Sequence, residues 1–236
     1  MPDSDPLSPL LELPGVEAAA AAAVESISRA HRRPAGLRKF ELISSESLMR
    51  GARSSVSISG AAIPPAPAPE DVEHGPLAEA ISAYSLLAPP LQESTVRTFA
   101  RAPLQVLARI DVAARGRGIP QFGAARLQAL ARLITHGSGV AFDRLLPVVV
   151  QVEIAAGGLF GPRSGLVAQV AGRVAAIHTG LDPRGFAVPE GYLNRHREHY
   201  HTLLADFFEQ PGPLLEMLLA AWKAGGEEAD AIARAV

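Results

Sequence analysis

The chain has 236 residues, 48% of them hydrophobic, enough for one large domain or for a domain with a small appendage. Its net charge of −2 gives no broad electrostatic footprint for nucleic acid, and the absence of cysteine excludes disulfides and thiolate metal sites. The opening MPDSDPLSPLLELPG is acidic and proline-broken with no basic n-region, and the most apolar run, Leu145–Phe160, is cut by Gln151 and Glu153, so neither a signal peptide nor a membrane span is expected.

A cytoplasmic protein is the resulting expectation. Lys39 and Lys223 are the only lysines, and the arginine excess, set among abundant alanine, is read as GC-rich codon usage rather than as a set of phosphate-binding arginines.

In chain order, VEAAAAAAVESISRAH (16–31) is rich in the best helix former and stops before Pro34. A second helix is predicted over Leu37–Ser57, where Phe40, Ile43, Leu48 and Val56 recur at helical spacing. AAIPPAPAPEDVEHGP, with its run of prolines, reads as an extended connection. Helices follow at 76–88, 93–100, 102–116 and 122–136, with Pro89, Gly116 and Gly137 as stop signals. Beyond residue 163 the pattern predicts helices over 164–179, 189–209 and 213–224, then a short one at the end.

VVVQVEI (148–154) alternates like a half-buried strand. A strand there, followed by a glycine loop and a helix, would form a nucleotide-binding unit. The loop lacks the phosphate-loop lysine and the G-x-G-x-x-G spacing, and no second strand offers a ladder. Pro147 also suits a first helical turn. The segment 147–157 is therefore assigned to a buried helix and the fold class to all-α. The expected division is N-terminal helices and the proline-rich connection in 1–74, then a helical core in 75–236.

GGLFGPRSGLVAQVAGR (157–173) is a glycine turn opening into a helix, an arrangement whose backbone N–H groups and dipole favour anions. A buried helix running through such a loop into another helix resembles the Fic (Fido) family, in its divergent actinobacterial-type branch. That family's signature, H-P-F-x-[DE]-G-N-G-R-x-x-R, lies without a gap on Gly158 to Gln169, with Phe160 and Gly165 matching. The GLDP turn Gly180–Pro183 and the VPE of Val188–Glu190 continue the likeness. Upstream, SVSISG (Ser55–Gly60) is similar to the family's inhibitory helix motif, with Ser59 where a glutamate would pair with the signature's last arginine. If it is the remnant of that helix, it is expected to pack near Gln169.

The resemblance implies an all-helical Fic-like core and, in working members, transfer of AMP or a related group to a protein hydroxyl. It also implies a histidine base, an acidic Mg²⁺ ligand and two phosphate-binding arginines. The departures fall on those roles. Gly158 stands where the base would be and has no side chain, although a general base needs a titratable group in reach of the attacking oxygen. Pro162 stands in the metal ligand's place and offers no carboxylate. Leu166 and Gln169 remove two positive charges from where transition-state charge would gather. No catalytic residue, metal ligand or cofactor is expected. The surviving anion-binding candidates are Arg163, Ser164 as cap of the next helix, Gly165 and, one turn beyond Gln169, Arg173.

The expected function is a catalytically degenerate Fic-like protein acting as a binding or regulatory partner of an unidentified protein, with a homodimer left open. One alternative is an active transferase using ATP and Mg²⁺, with Arg163 and Arg173 as phosphate clamp and His178 or His196 as base. Another is a ligand-responsive DNA-binding regulator, although nucleic acid is not the expected partner. HREHYH (196–201) places His196 and His199 on one helix face and His201 away from them, which reads as an exposed face rather than a zinc site. The basic group Arg29, His31, Arg32, Arg33, Arg38 and Lys39 is broken by Pro34 and reads as a solvated turn.

Overall fold

Helix punctuation governs the architecture. The computed structural model describes residues 5–63 and 72–236, so the proline-rich run expected to be extended lies largely outside the described residues. Among the described residues there are α-helices and two 3₁₀ turns but no strand. The first four helices are α1 (Ser8–Leu11), α2 (Val16–His31), α3 (Pro34–Arg38) and α4 (Phe40–Ile58). Next come α5 (Gly75–Tyr84), α6 (Pro89–Arg101), α7 (Pro103–Ala113) and α8 (Ala124–His136). The remaining elements are α9 (Val140–Ala156), α10 (Ser164–Thr179), α11 (Pro189–Arg195), α12 (Arg197–Ala205) and α13 (Pro211–Ala235).

The centre is the pair α9 and α10, which run antiparallel: Gly172 backs onto the Pro147 carbonyl and Gln151. Both helices are apolar around most of their circumference, as buried helices must be. Val148, Val150, Val152 and Ile154 of α9 and Val167, Ala168, Val170 and Val174 of α10 are all buried. The alternation that suggested a strand is thus a helix wrapped by core on both sides. Pro147 lies well inside α9 rather than in its first turn, because the helix begins at Val140. That start is fixed from far away: the Asp5 carboxylate accepts from the N–H groups of Ala141 (2.6 Å) and Phe142 (3.0 Å), supplying an N-terminal cap from the other end of the chain.

Several boundaries move for identifiable reasons. Pro89 opens α6 instead of closing α5, the position a proline tolerates best. The segment predicted as one helix over 37–57 breaks at Lys39, and 189–209 breaks at His196. At the C-terminus two predicted helices are one, because α13 runs straight through Gly225–Gly226. A Cβ at Gly226 would lie 2.7 Å from the Ile27 nitrogen, and one at Gly225 would lie 2.7 Å from the Pro189 nitrogen. The two glycines serve close packing of α13 on α2 and on the Val188–Pro189 backbone. Buried residues of α2 and α4 belong to the main hydrophobic core together with residues of the later helices, and Ala30, Ile43, Phe186, Val188, Ala229, Ile232 and Ala233 form a second, smaller cluster.

Past α10, the GLDP turn is organised by Asp182. Its carboxylate accepts from Phe186 N (3.0 Å), Ala187 N (2.8 Å) and His31 Nε2 (2.7 Å). Burial alone would raise this carboxyl's pKa, but the bonds from His31, Ala187 and Phe186 outweigh it and hold the pKa below its ordinary value. A depressed pKa contributes stability that is fully present above the unfolded-state pKa and is lost as pH falls through the folded one. From about pH 5 downward, the stability gap between the wild type and Asp182→Asn should shrink, most of it below about pH 4. Urea titrations across that range check this, and a gap unchanged down to the most acid point would refute it.

Candidate functional site

The segment 157–163 leaves α9 through two glycines with positive φ, Gly158 (+59°) and Gly161 (+60°), a conformation that side-chain-bearing residues rarely adopt. Phe160 between them is 1% exposed and pins the loop to the core. From outside, the Gln121 N–H donates to the Leu159 carbonyl (2.7 Å). Ser164 does not cap α10. Its hydroxyl instead accepts from the Phe160 N–H (2.9 Å), tying the loop to the helix it precedes, and no side chain caps the N-terminus of α10. The helix is entered straight from the 3₁₀ turn Gly161–Arg163, and the Ser164 N–H donates to the Gly161 carbonyl.

That uncapped end faces a cavity of about 380 Å³. Gly158, Pro162, Arg163, Ser164, Gly165, Leu166 and Gln169 line one side of it. Ser55 and Ser59 from the end of α4 line another, so the loop and the upstream SVSISG motif meet at one cavity. Glu79 of α5 and Tyr200 and His201 of α12 complete the polar wall. Apolar surface comes from Val56, Ile58, Ala80, Ala155 and Leu204. A Cβ added at Gly165 would meet nothing within 4 Å, so this glycine leaves space rather than permitting a close approach within the chain.

The electrostatics are close to balanced. Arg163 Nε donates to Asp111 Oδ1 at 2.7 Å, and Asp111 is wholly buried at the end of α7. The second Asp111 oxygen accepts from Gly118 N at 2.9 Å. The arginine expected to bind anions thus has its charge matched within the protein. Tyr200 is buried, which pushes its phenol up to about 12 against a hydrogen bond with Gln151, so it is neutral at physiological pH. His201 Nε2 lies 3.0 Å from the Ile58 carbonyl, and because a carbonyl only accepts, that nitrogen carries the proton. Gln169 is 3% exposed, and its Oε1 is buried with no hydrogen-bond partner.

Arg173 requires a correction. It does not approach the loop, because its guanidinium is 2% exposed and forms two bonds with Glu190, Nε to Oε1 and Nη2 to Oε2, each 2.7 Å. Nη1 donates to Ser47 Oγ at 3.0 Å. Burial would lower its pKa, but Glu190 beside it keeps the pKa above the ordinary arginine value. The network continues to the cavity wall: Tyr84 donates to Glu190 (2.8 Å), so Ser55 Oγ, 2.7 Å away, is the donor to Tyr84. Burial, with Glu190 next, holds the Tyr84 phenol well above its ordinary pKa.

The two histidines proposed as alternative bases also lie elsewhere. His178 packs edge-on to Phe99, its pKa lowered by burial against a smaller opposing effect of Asp143, and His196 leans on Tyr192. Neither lines the cavity, whereas His201 does. Among the described residues no three of His, Asp or Glu gather around a common centre, and no helix is long and apolar enough to cross a membrane. Of the other motif positions, Gly60 and Phe160 are not among the lining residues; Gly60 is exposed and Phe160 is buried. No protein-family model matches the chain, and no curated protein matches it.

Proposed function

We propose that the chain is a Fic-like domain protein that has lost adenylyl transfer and acts as a binding or regulatory module through this cavity. The observation that carries the reading is the meeting of the two motif-like segments. Ser59 and Gln169 stand where the resemblance would place a glutamate and its arginine partner, and both line the same space. Loss of both charges together is the physically consistent change, since either alone would leave a charge without its partner.

The residues present do not fit ATP and Mg²⁺. Pro162 supplies no carboxylate, Arg163 is matched by Asp111, and Arg173 is enclosed with Glu190. Glu79 adds a negative charge to the wall rather than a positive one. A triphosphate would therefore meet one already paired cation and a helix end. Incubation of the purified protein, or of a lysate containing it, with labelled ATP and Mg²⁺ is expected to transfer no label. Labelling that survives purification and disappears in Arg163→Ala would overturn the reading.

A further inference from the structure

On a second surface, which shares no lining residue with the cavity, we infer that α7 and the loop after it dock a short acidic segment of a partner protein, one that carries apolar residues among its carboxylates. Between Glu93 and Asp143 the sequence holds seven arginines and a single acidic residue, Asp111, in a chain whose net charge is −2. Asp111 is buried against Arg163, while Arg97 and Arg126 pair with Glu93 and Glu153. Arg101, Arg109, Arg115, Arg117 and Arg132 are exposed and form no ion pair among the described residues. A local excess of one sign, on a chain that is acidic elsewhere, draws an oppositely charged partner to one place.

Part of this excess borders an open groove. Leu86, Gln105, Ala108, Arg109, Val112 and Arg117 line it, so two of the unpaired cations meet apolar surface there. Val112 is 55% exposed, and Ile119 and Phe122 in the loop that follows are 55% and 63% exposed. Hydrogen bonds fix the start of that loop: the Gly118 N–H donates to Asp111 Oδ2 (2.9 Å) and the Gly116 N–H to the Asp111 carbonyl (2.7 Å). With the Arg115 N–H bonded to the Val112 carbonyl (3.0 Å), α7 has a Schellman ending, whose left-handed residue is most often glycine. Here that residue is Arg115, φ +63°, the only non-glycine with positive φ among the described residues. An arginine held where glycine would be less strained points to a use for its side chain. Nucleic acid suits the surface less well. Its phosphates would gain nothing from Leu86 or Val112, and a long strand would run onto the acidic remainder of the chain.

The test is titration of the full chain, followed by heteronuclear NMR, with a short peptide of glutamates interrupted by leucines. Amide shifts should gather in 105–122, with an affinity of about 10–100 μM at low salt that weakens as salt is added. Counterparts with glutamine for glutamate or serine for leucine, and an oligothymidylate of equal net charge, should each bind at least about tenfold more weakly. Arg109→Glu/Arg117→Glu should fold, since both side chains are exposed, and should weaken the peptide by more than about tenfold. Arg115→Gly should raise the melting temperature and yet weaken the peptide about threefold, an opposition that a merely structural residue would not produce. An absence of shifts in 105–122 would overturn the inference, as would oligothymidylate binding as well as the peptide, or full affinity in either variant. None of these results involves the cavity or a transfer of label from ATP, so this inference and the non-catalytic reading fail separately.

Discussion

Replacing Glu190 with alanine is expected to cost about 3–5 kcal/mol of folding stability, a large part of what a domain of this kind possesses. Glu190 and Arg173 are 1% and 2% exposed. An arginine cannot shed its proton inside a protein, so removing the carboxylate leaves a guanidinium in the core with only Ser47 as a polar partner. Tyr84 would lose the acceptor for its hydroxyl proton at the same time. Glu190→Gln, which keeps an acceptor but not the charge, should fall between the wild type and Glu190→Ala.

The double variant Glu190→Leu/Arg173→Met should recover much of the loss, because an apolar pair of similar volume leaves no charge uncompensated. Urea denaturation of Glu190→Leu, Arg173→Met and the double variant, beside the wild type, forms a cycle that isolates the coupling. A Glu190→Ala protein within about 1 kcal/mol of the wild type would show that water reaches Arg173, and the buried network would have to be redrawn.

Arg173 also shows where sequence reasoning stops. Its spacing from Gln169 is real, and both residues are on α10 and buried. What spacing could not reveal is that the polar group waiting for Arg173 sits on α11, within a VPE that had been noted only as part of a resemblance. Arg163 is similar: its place in the loop was legible, but its partner Asp111 lies on a helix with no motif to mark it. Local signals did well where the decisive interactions are local. Alanine content and Pro34 defined α2 over the predicted 16–31.

Local signals failed where a distant group decides. The start of α9 at Val140 depends on Asp5, and the persistence of α13 through two glycines depends on the backbone of Ile27, Val188 and Pro189. Both wall segments of the cavity, Ser55–Gly60 and the glycine loop after α9, stand out in the sequence. In the sequence His201 stands out only by its direction away from His196 and His199, and in the structure it lines the cavity. The orphaned Gln169 oxygen could not be foreseen, because whether a buried amide finds a partner is a property of packing rather than of pattern.

Phe160→Ala should cost about 3–5 kcal/mol, the range for deleting a fully buried aromatic ring. The loss should be uneven across the molecule. The ring is what ties the positive-φ glycine turn to the core, while the Gln121 and Ser164 bonds hold only its backbone. Without the ring, the segment 157–165 should open more readily than the α9–α10 pair behind it, and its amides should lose hydrogen-exchange protection beyond the global change. Arg163 rides on the same loop, so its bond to Asp111 should loosen too, leaving a carboxylate buried at the end of α7 with the Gly118 N–H as its remaining bond. Phe160→Leu keeps most of the volume and should cost under about 1.5 kcal/mol with protection nearly intact. Denaturation and hydrogen exchange on the two variants separate ring from backbone. If alanine costs less than about 1 kcal/mol and leaves protection of 157–165 unchanged, the loop is held by its hydrogen bonds and the ring only fills space.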